Sequence, residues 1–474
     1  MRRLLHLALV TAVSAAAPSA SAAGSVTKGP WMQHVTSTSA VIRVEIEPPA
    51  PVTLEIGLSA ALGAIDGGSR AVIESREPRS LHTILVKGLE PATRYPITVR
   101  AEGTPRFGAV TTAPSDDSGA PFRFLVYGDN RTDDASHAAV VRAMVGVPSS
   151  FLVNTGDLVE HGGSGAQWQA FFDLEAPLTR ERPIFAAVGN HELADGAGVE
   201  FLRYFGPAEL PAGTTAAASS ITGVVLPNPD PAKLAPDQLN GTFRWGSARF
   251  FLLNGMVSLA ASPTRQWLEK VLGDADKEPG LVWRILVVHH GPWSSGPHGG
   301  NRRMHEANIP ELLRAHKVDV VIAGHDHIYE RGVSDGISYL VSGGGGAPLY
   351  RVKKPDVTSR RYESARHFIE ASVTGVAIQF VATRADGSPI ERCALRKNAG
   401  WDCDGDDKAG GGVAAARAPS SSAPSAPGSS SRCTCRAAGA DGAAGGREPL
   451  WAALLGALAA VALRVRRASA RSVR

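Results

Sequence analysis

Five short segments of this chain gather the kinds of side chain that hold metal ions: Gly128-Asp129-Asn130-Arg131, Gly156-Asp157-Leu158, Gly189-Asn190-His191-Glu192, His289-His290-Gly291-Pro292 and Gly324-His325-Asp326-His327. A pair of ions about 3.5 to 4 Å apart needs oxygen and imidazole donors from several loops, with one carboxylate between the two. Asp129, Asp157, Asn190, His289, His325 and His327 make up such a donor set. Each segment alone is ordinary, since Gly-Asp commonly marks a turn and a single His commonly sits satisfied in a core. Five in succession, each at the end of an apolar run, point to one centre. Such a centre hydrolyses its substrate with a metal-activated hydroxide and needs no side-chain nucleophile. The Cys residues agree, because none of the four lies before residue 393 and the main body offers no thiol.

The elements that must bring these segments together are strands. Apolar runs at 122–127, 150–154 and 183–188 are separated by stretches of helical character near 135–145 and 166–174. That alternation predicts an α/β domain over 121–383, with the ligands at strand ends, where sites form in α/β sheets. Glycine before four of the segments lets the backbone turn sharply. Residues 206–241 are rich in Ala, Ser, Thr and Pro without a period, and read as a long loop near the mouth of the site. Residues 25–113 differ again. Alternating apolar runs such as Ala40-Val-Ile-Arg-Val-Glu-Ile46 and His82-Thr-Ile-Leu-Val86, divided by turns, predict a small all-β sandwich.

The two ends carry addressing signals. Residues 1–23 read as a secretory signal peptide, with Arg2 and Arg3, an apolar run from Leu4 to Val13 and a closing Ala20-Ser21-Ala22. Residues 409–432 are mostly Gly, Ala, Ser and Pro and predict a flexible linker. Residues 433–474 open with Cys433-Thr-Cys435, carry a 14-residue apolar run from Leu450 to Leu463 and continue into Arg464, Arg466 and Arg467. That run falls short of the roughly 20 residues of a spanning helix, so it predicts a processed sorting signal. It resembles the myxobacterial MYXO-CTERM surface-sorting tail, which implies an exported protein, secreted or held at the cell surface. The net charge of +4 comes from these ends: residues 1–23 carry +2 and 432–474 carry +6, leaving −4 for the body. A body of that charge excludes a nucleic-acid partner of the usual basic kind. Cys393 and Cys403, ten apart, either close a small disulfide loop in an oxidising compartment or remain two thiols.

In their order the five segments resemble the calcineurin-like metallophosphoesterase superfamily. Gly324-His-Asp-His-Ile-Tyr-Glu-Arg331 followed by Tyr339-Leu-Val-Ser-Gly-Gly-Gly345 resembles its purple acid phosphatase branch. Gly29-Pro-Trp-Met-Gln33, Gly88-Leu-Glu-Pro-Ala-Thr-Arg-Tyr95 and Thr111-Thr-Ala-Pro114 resemble the fibronectin-III-like domain that precedes the catalytic domain in plant-type members. The resemblance covers roughly residues 25–383. It implies a metallophosphoesterase four-layer α/β/β/α sandwich behind the β-sandwich, two metal ions drawn from Fe, Zn, Mn or Mg, and a small phosphate-ester substrate. Acid phosphatase-like monoester hydrolysis is the expected activity, with phosphodiesterase or nucleotidase activity as the alternative among enzymes. On this pattern Asp157 bridges the ions, Asp129 and His327 hold the first, and Asn190, His289 and His325 hold the second, with His290 as the alternative to His289. His191 would bond the phosphoryl oxygens. His298, in Ser294-Ser-Gly-Pro-His-Gly299, would protonate the leaving alkoxide or else is a surface-loop histidine. A reading of another class is a surface-displayed binding protein whose metal site has degenerated.

Two positions depart from that pattern. The branch places Tyr three residues after the bridging Asp, where it colours the iron(III) centre, and this chain has Glu160 there. Other superfamily members place a metal-binding His two residues after the first Asp, and this chain has Arg131. The first ion is left with three assured protein donors, below the roughly four to six such ions take. Water, Glu160 or His161 would fill the gap, and Arg131 would meet the substrate phosphate as a bidentate donor or pair with Asp133 or Asp134. Iron-loaded protein is therefore expected to lack a purple charge-transfer band. A visible band accompanied by tyrosinate modes in the resonance Raman spectrum would contradict this.

Overall fold

The computed structural model describes residues 24–57, 70–195, 198–206, 220–228 and 239–404. The expected signal peptide, linker and sorting tail (1–23, 409–432 and 433–474) lie outside the described residues, as do 207–219 and 229–238 of the expected loop. Strands β1 (Ser25–Gln33), β2 (Ser39–Gly57), β3 (Arg70–Lys87), β4 (Arg94–Arg100) and β5 (Arg106–Thr111) form an antiparallel N-terminal sheet. The β2–β3 ladder is interrupted between Glu45 and Val52. Before the break β2 also pairs with β1, and after it with β4. Alternate residues of the second half, Val52, Leu54 and Ile56, are buried, as the period-2 pattern requires. In the first half every residue from Ser39 to Ile46 is buried, because the α/β domain that follows covers the outer face. There the Arg43 guanidinium donates to the carbonyls of Tyr204 (2.7 Å) and Gly206 (2.9 Å).

The chain then runs through β6 (Phe122–Tyr127), α1 (Asp134–Val145), β7 (Phe151–Asn154), α2 (Gly165–Thr179), β8 (Ile184–Ala186), α3 (Asn190–Ala194) and α4 (Val199–Phe205). Next comes β9 (Thr222–Leu226), which corrects the expectation of a loop over 206–241. It pairs antiparallel with β3, from Thr83 opposite Leu226 to Lys87 opposite Thr222, and so extends the N-terminal sheet. The five-residue run is too short to stand out from its Ala-, Ser- and Pro-rich flanks, and the exposed backbone edge of β3 decides its conformation.

The second half comprises β10 (Gly241–Trp245), β11 (Ala248–Leu253), α5 (Pro263–Ala275), β12 (Trp283–Val288), α6 (Arg302–Glu306), α7 (Ile309–Ala315), β13 (Val320–Ala323), β14 (Tyr329–Ser334), β15 (Ile337–Ser342) and β16 (Ser359–Glu363). It ends with β17 (His367–Val373), β18 (Ala377–Arg384), β19 (Pro389–Arg396) and β20 (Gly400–Cys403). One seven-stranded sheet runs β20-β19-β18-β17-β6-β7-β8 and the other β10-β11-β12-β13-β15-β14-β16. Phe124, Phe151, Phe250, Ile285 and Ile369 fill the space between them. A second core, with Val140, Met144 and Phe171, lies under α1 and α2, and a third, with Leu268, Leu272 and Leu313, under α5 and α7. Three cores between four layers make this an α/β/β/α sandwich.

The expected end of the domain at residue 383 falls inside β18, and the sheet continues to Cys403. Cys393 and Cys403 face each other across β19 and β20 and are joined in a disulfide, which settles the two alternatives left open by their spacing. β6, β7 and β8 are parallel, as are β11, β12, β13 and β15. All five metal-type segments begin within three residues of the C-terminal end of one of these parallel strands, three from one sheet and two from the other.

His367 couples this core to acid stability. It is fully buried at the start of β17, with its Nδ1–H donated to the Ala365 carbonyl (2.8 Å) and Nε2 facing Ser342 Oγ (3.2 Å). Burial lowers its pKa from 6.5 to about 4. Below about pH 6.5 the unfolded chain takes up a proton that the folded chain refuses until about pH 4. Stability should therefore fall across that window, by up to about 1.4 kcal/mol per pH unit from this group. Urea unfolding near pH 7 and near pH 5 should show a smaller loss in His367→Gln than in the parent. An equal loss in both would remove His367 from the account.

Candidate metal centre

Three of the expected ligands are themselves held in the left-handed backbone region: Asp129 (φ 58°), Asp157 (φ 55°) and His325 (φ 70°). Non-glycine residues pay strain to sit there, and such strain gathers at functional sites. The preceding glycines serve chiefly to give room, which corrects their expected role as the turning residues. A Cβ on Gly189 would lie 2.1 Å from Asp157 Oδ1, and one on Gly324 would lie 2.4 Å from Asp129 Oδ2. Gly156 alone of these four has a positive φ, 103°.

Three donor atoms converge around His289 Nε2. Asn190 Oδ1 and His325 Nδ1 are each 3.1 Å from it and Asp157 Oδ1 is 3.3 Å away. Donors about 2.1 Å from one cation stand roughly 3.0 to 3.4 Å apart, so this half fits an ion. The His289 Nδ1–H is donated to the Thr155 carbonyl at 3.0 Å, which leaves Nε2 facing inward. His290 points elsewhere, with Nε2 at 2.9 Å from the Gly299 carbonyl, so the register favours His289. The pocket attracts positive charge. Burial works to lower the pKa of His289, yet Asp157 and Asp129 outweigh it and raise it to about 9. Burial and the neighbouring His289, His290 and His298 hold His325 far below its ordinary value and so neutral, the form a ligand needs.

The other half is built differently. His327 Nε2 lies 3.5 Å from Asp129 Oδ1, and its Nδ1–H is donated to the Pro348 carbonyl at 2.6 Å. Both Asp129 oxygens accept the His325 backbone N–H, at 3.1 and 3.0 Å. Among these donors stands the Arg131 guanidinium. Its Nε donates to Asp157 Oδ2 (3.1 Å), Nη1 to Glu160 Oε2 (2.6 Å), and Nη2 faces His327 Nε2 (3.4 Å). Arg131 thus pairs with neither Asp133 nor Asp134. Asp133 instead caps α1 by accepting from the Ala135 and Ser136 N–H groups. His161 does not reach the centre either, because its ring faces Asp195 at 2.8 Å. Burial pushes the Asp129 carboxyl up, and the charge of Asp157 adds to this. At Asp157 burial acts the same way, but His289 and His191 overcome it and keep the group ionised.

Around the donors lie the groups that would meet a substrate. His191 gives its Nδ1–H to the Glu160 carbonyl (2.7 Å), and its Nε2 stands 3.8 Å from Asp157 Oδ2. His298 is exposed, with its ring 4.5 Å from that of His325 and its Nε2 3.4 Å from the Tyr350 hydroxyl. Tyr350 stacks on His327 with ring centroids 4.0 Å apart, and no motif in the sequence marked it. Asp326, between the two ligand histidines, holds the His298 loop by accepting from Ser294 Oγ (2.5 Å) and the His298 N–H (3.1 Å). Glu192 is fully buried and accepts the backbone N–H groups of Asp157, Leu158, Val159 and Gly189 at 2.8 to 3.2 Å. It ties the Asp157 loop to the Asn190 loop. Its place in Gly-Asn-His-Glu was the only hint of this.

Residues 122–329 match the calcineurin-like phosphoesterase family. The chain is 25% identical over 283 residues to purple acid phosphatase 23 of Arabidopsis thaliana, covering 53% of this chain and 57% of that one. It spans about half the length of the curated relatives it matches. The fold is similar to that of purple acid phosphatase PPD1 from yellow lupin (Lupinus luteus) seeds, with a TM-score of 0.62 at 17% identity over 77% of this chain and 74% of that one. It is also similar to that of PhoD, with a TM-score of 0.61 at 13% identity over 84% and 95% of the two chains. Residues 122–329 thus carry a calcineurin-like phosphoesterase domain, with purple acid phosphatases among the relatives of the chain.

Proposed function

We propose that this protein is an exported metal-dependent hydrolase of small phosphate esters, with phosphomonoesters as the first expected substrates. The observation that carries the reading is the convergence of Asp157 Oδ1, Asn190 Oδ1, His289 Nε2 and His325 Nδ1 beside an arginine and two further histidines. A bound cation supplies Lewis acidity toward a phosphoryl oxygen and lowers the pKa of water. The rest is the work of this chain's own residues. The ring of His191, fixed by the Glu160 carbonyl, is placed to bond a phosphoryl oxygen. The Arg131 guanidinium sets a permanent positive charge next to it, suited to the charge that develops on transfer. On the open side, the His298 imidazole and the Tyr350 hydroxyl are placed to give a proton to the leaving alkoxide. Purple acid phosphatases among the relatives support the monoester reading. Export and display at the cell surface follow from the signal-like residues 1–23 and the sorting-type tail, and the Cys393–Cys403 disulfide suits an oxidising compartment. No nucleic-acid partner is proposed, given the acidic body.

Turnover of p-nitrophenyl phosphate by the purified chain should be abolished by chelation and restored by one of Fe, Zn, Mn or Mg. Absence of chelator-sensitive turnover of any mono- or diester would instead favour the surface-binding reading. In the active protein, His191→Ala should lower kcat by roughly 10²- to 10⁴-fold. Glu192→Gln places an amide NH₂ against backbone N–H donors and should weaken metal affinity by about 10- to 100-fold. Calorimetric metal titration measures this, and an affinity equal to the parent's would show that Glu192 does not shape the centre.

A further inference from the structure

We infer that the centre holds a single metal ion and that the Arg131 guanidinium stands where a second would be held. This rests on the metal-dependent reading above and sharpens it. The donors expected for the first ion are Asp129, Asp157 and His327, and the guanidinium faces two of them directly, Asp157 Oδ2 at 3.1 Å and His327 Nε2 at 3.4 Å. The Nδ1–H of His327 is spent on Pro348, so its Nε2 is a lone pair turned toward an N–H donor. Arg131 is itself fixed. Its Nη1 donates to Glu160 (2.6 Å) and Thr132 (3.2 Å), and its side chain is 13% exposed. Glu160, engaged with Arg131 and Thr132, is not free to complete the first half, and among the described residues His161 faces Asp195 instead.

Charge leads to the same conclusion. Asp129, Asp157 and Glu160 bring three carboxyl groups to the centre, and the Arg131 guanidinium already pairs with two of them, Asp157 and Glu160. A second divalent ion would have to lie among the lone pairs Arg131 faces, in contact with a like charge in a poorly solvated pocket. Among the described residues the half built by Asn190, His289 and His325 carries no such intruder, since His289 Nε2 faces Asn190 Oδ1 and His325 Nδ1. Arg131 therefore does with a fixed side chain what a second ion does in a two-ion centre, presenting positive charge to a phosphoryl oxygen. Its guanidinium can do so through paired N–H groups.

The test is a metal count on the full chain, stripped and reloaded with Mn(II), by mass spectrometry and electron paramagnetic resonance. The parent should saturate at about one ion per chain with an uncoupled manganese spectrum. Arg131→His, which sets an imidazole two residues after Asp129, should saturate at about two with an exchange-coupled spectrum. An exchange-coupled pair in the parent overturns the inference, and that measurement stands even if the variant fails to fold. A folded variant that still binds one ion also overturns it. Ester hydrolysis by a chain holding two ions would sink this inference and leave the hydrolase reading intact. A chain holding one ion with no hydrolysis of any ester would do the reverse.

Discussion

Two carboxylates, Asp129 and Asp157, are buried side by side where almost no water reaches them, and the site is arranged around the positive charge they require. An ionised carboxyl in such a place is costly unless paired and hydrogen-bonded. Asp157 meets this need with the Arg131 guanidinium, the His191 backbone N–H and the imidazole of His289. Asp129 has the His325 backbone N–H and burial enough to push its pKa up. The negative field in turn raises the pKa of His289 and gathers imidazole and amide donors into a cage for a cation.

Such a cage is possible only because the fold delivers its parts from both sheets. Asp129, Asp157 and Asn190 come from the C-terminal ends of β6, β7 and β8, and His289 and His325 from those of β12 and β13. The aromatic core between the sheets, with Phe124 of one meeting Phe250 of the other edge-on at 5.2 Å, sets how those ends face each other. Hydrogen bonds then remove the remaining freedom. Glu192 gathers four backbone N–H groups from two loops. Glu330, also fully buried, accepts from Ser295 N–H, Ser295 Oγ and the Tyr339 hydroxyl and so anchors the loop that carries His298. These buried acids are part of the scaffold rather than of the chemistry, since each is already surrounded by donors.

The convergence of Asp157, Asn190, His289 and His325 was legible in the sequence because ligand chemistry restricts residue type and the fold restricts where such residues stand. Asp, Asn and His after apolar runs satisfy both limits. What was not legible depends on side-chain direction or on distant partners. Nothing in the residue type of Arg131 says that it turns toward Asp157 and Glu160 rather than toward Asp133, which is engaged as a helix cap. Tyr350 lies 23 residues beyond His327 and reaches it only through the return of the chain after β15. β9 takes its conformation from the edge of β3, a partner more than a hundred residues earlier. The sharp turns at the ligand segments read in the sequence as the work of the preceding glycines, because φ is invisible there and glycine is the usual carrier of a positive one. Packing places the strain on the ligands themselves.

The two departures from the family pattern, Glu160 and Arg131, look in the sequence like separate losses, one ligand gone from each of two positions. In the folded chain they are a single feature, an ion pair at 2.6 Å lying against Asp157. A carboxylate at 160 without Arg131 would add negative charge to a pocket that already holds two acids. An arginine at 131 without Glu160 would lose the partner that keeps its Nη1 in place. Present together, they supply a fixed cation whose position is set by three acceptors, Asp157, Glu160 and Thr132, before any substrate arrives. On the proposed hydrolase reading, that is the preorganisation a phosphoryl-transfer site requires.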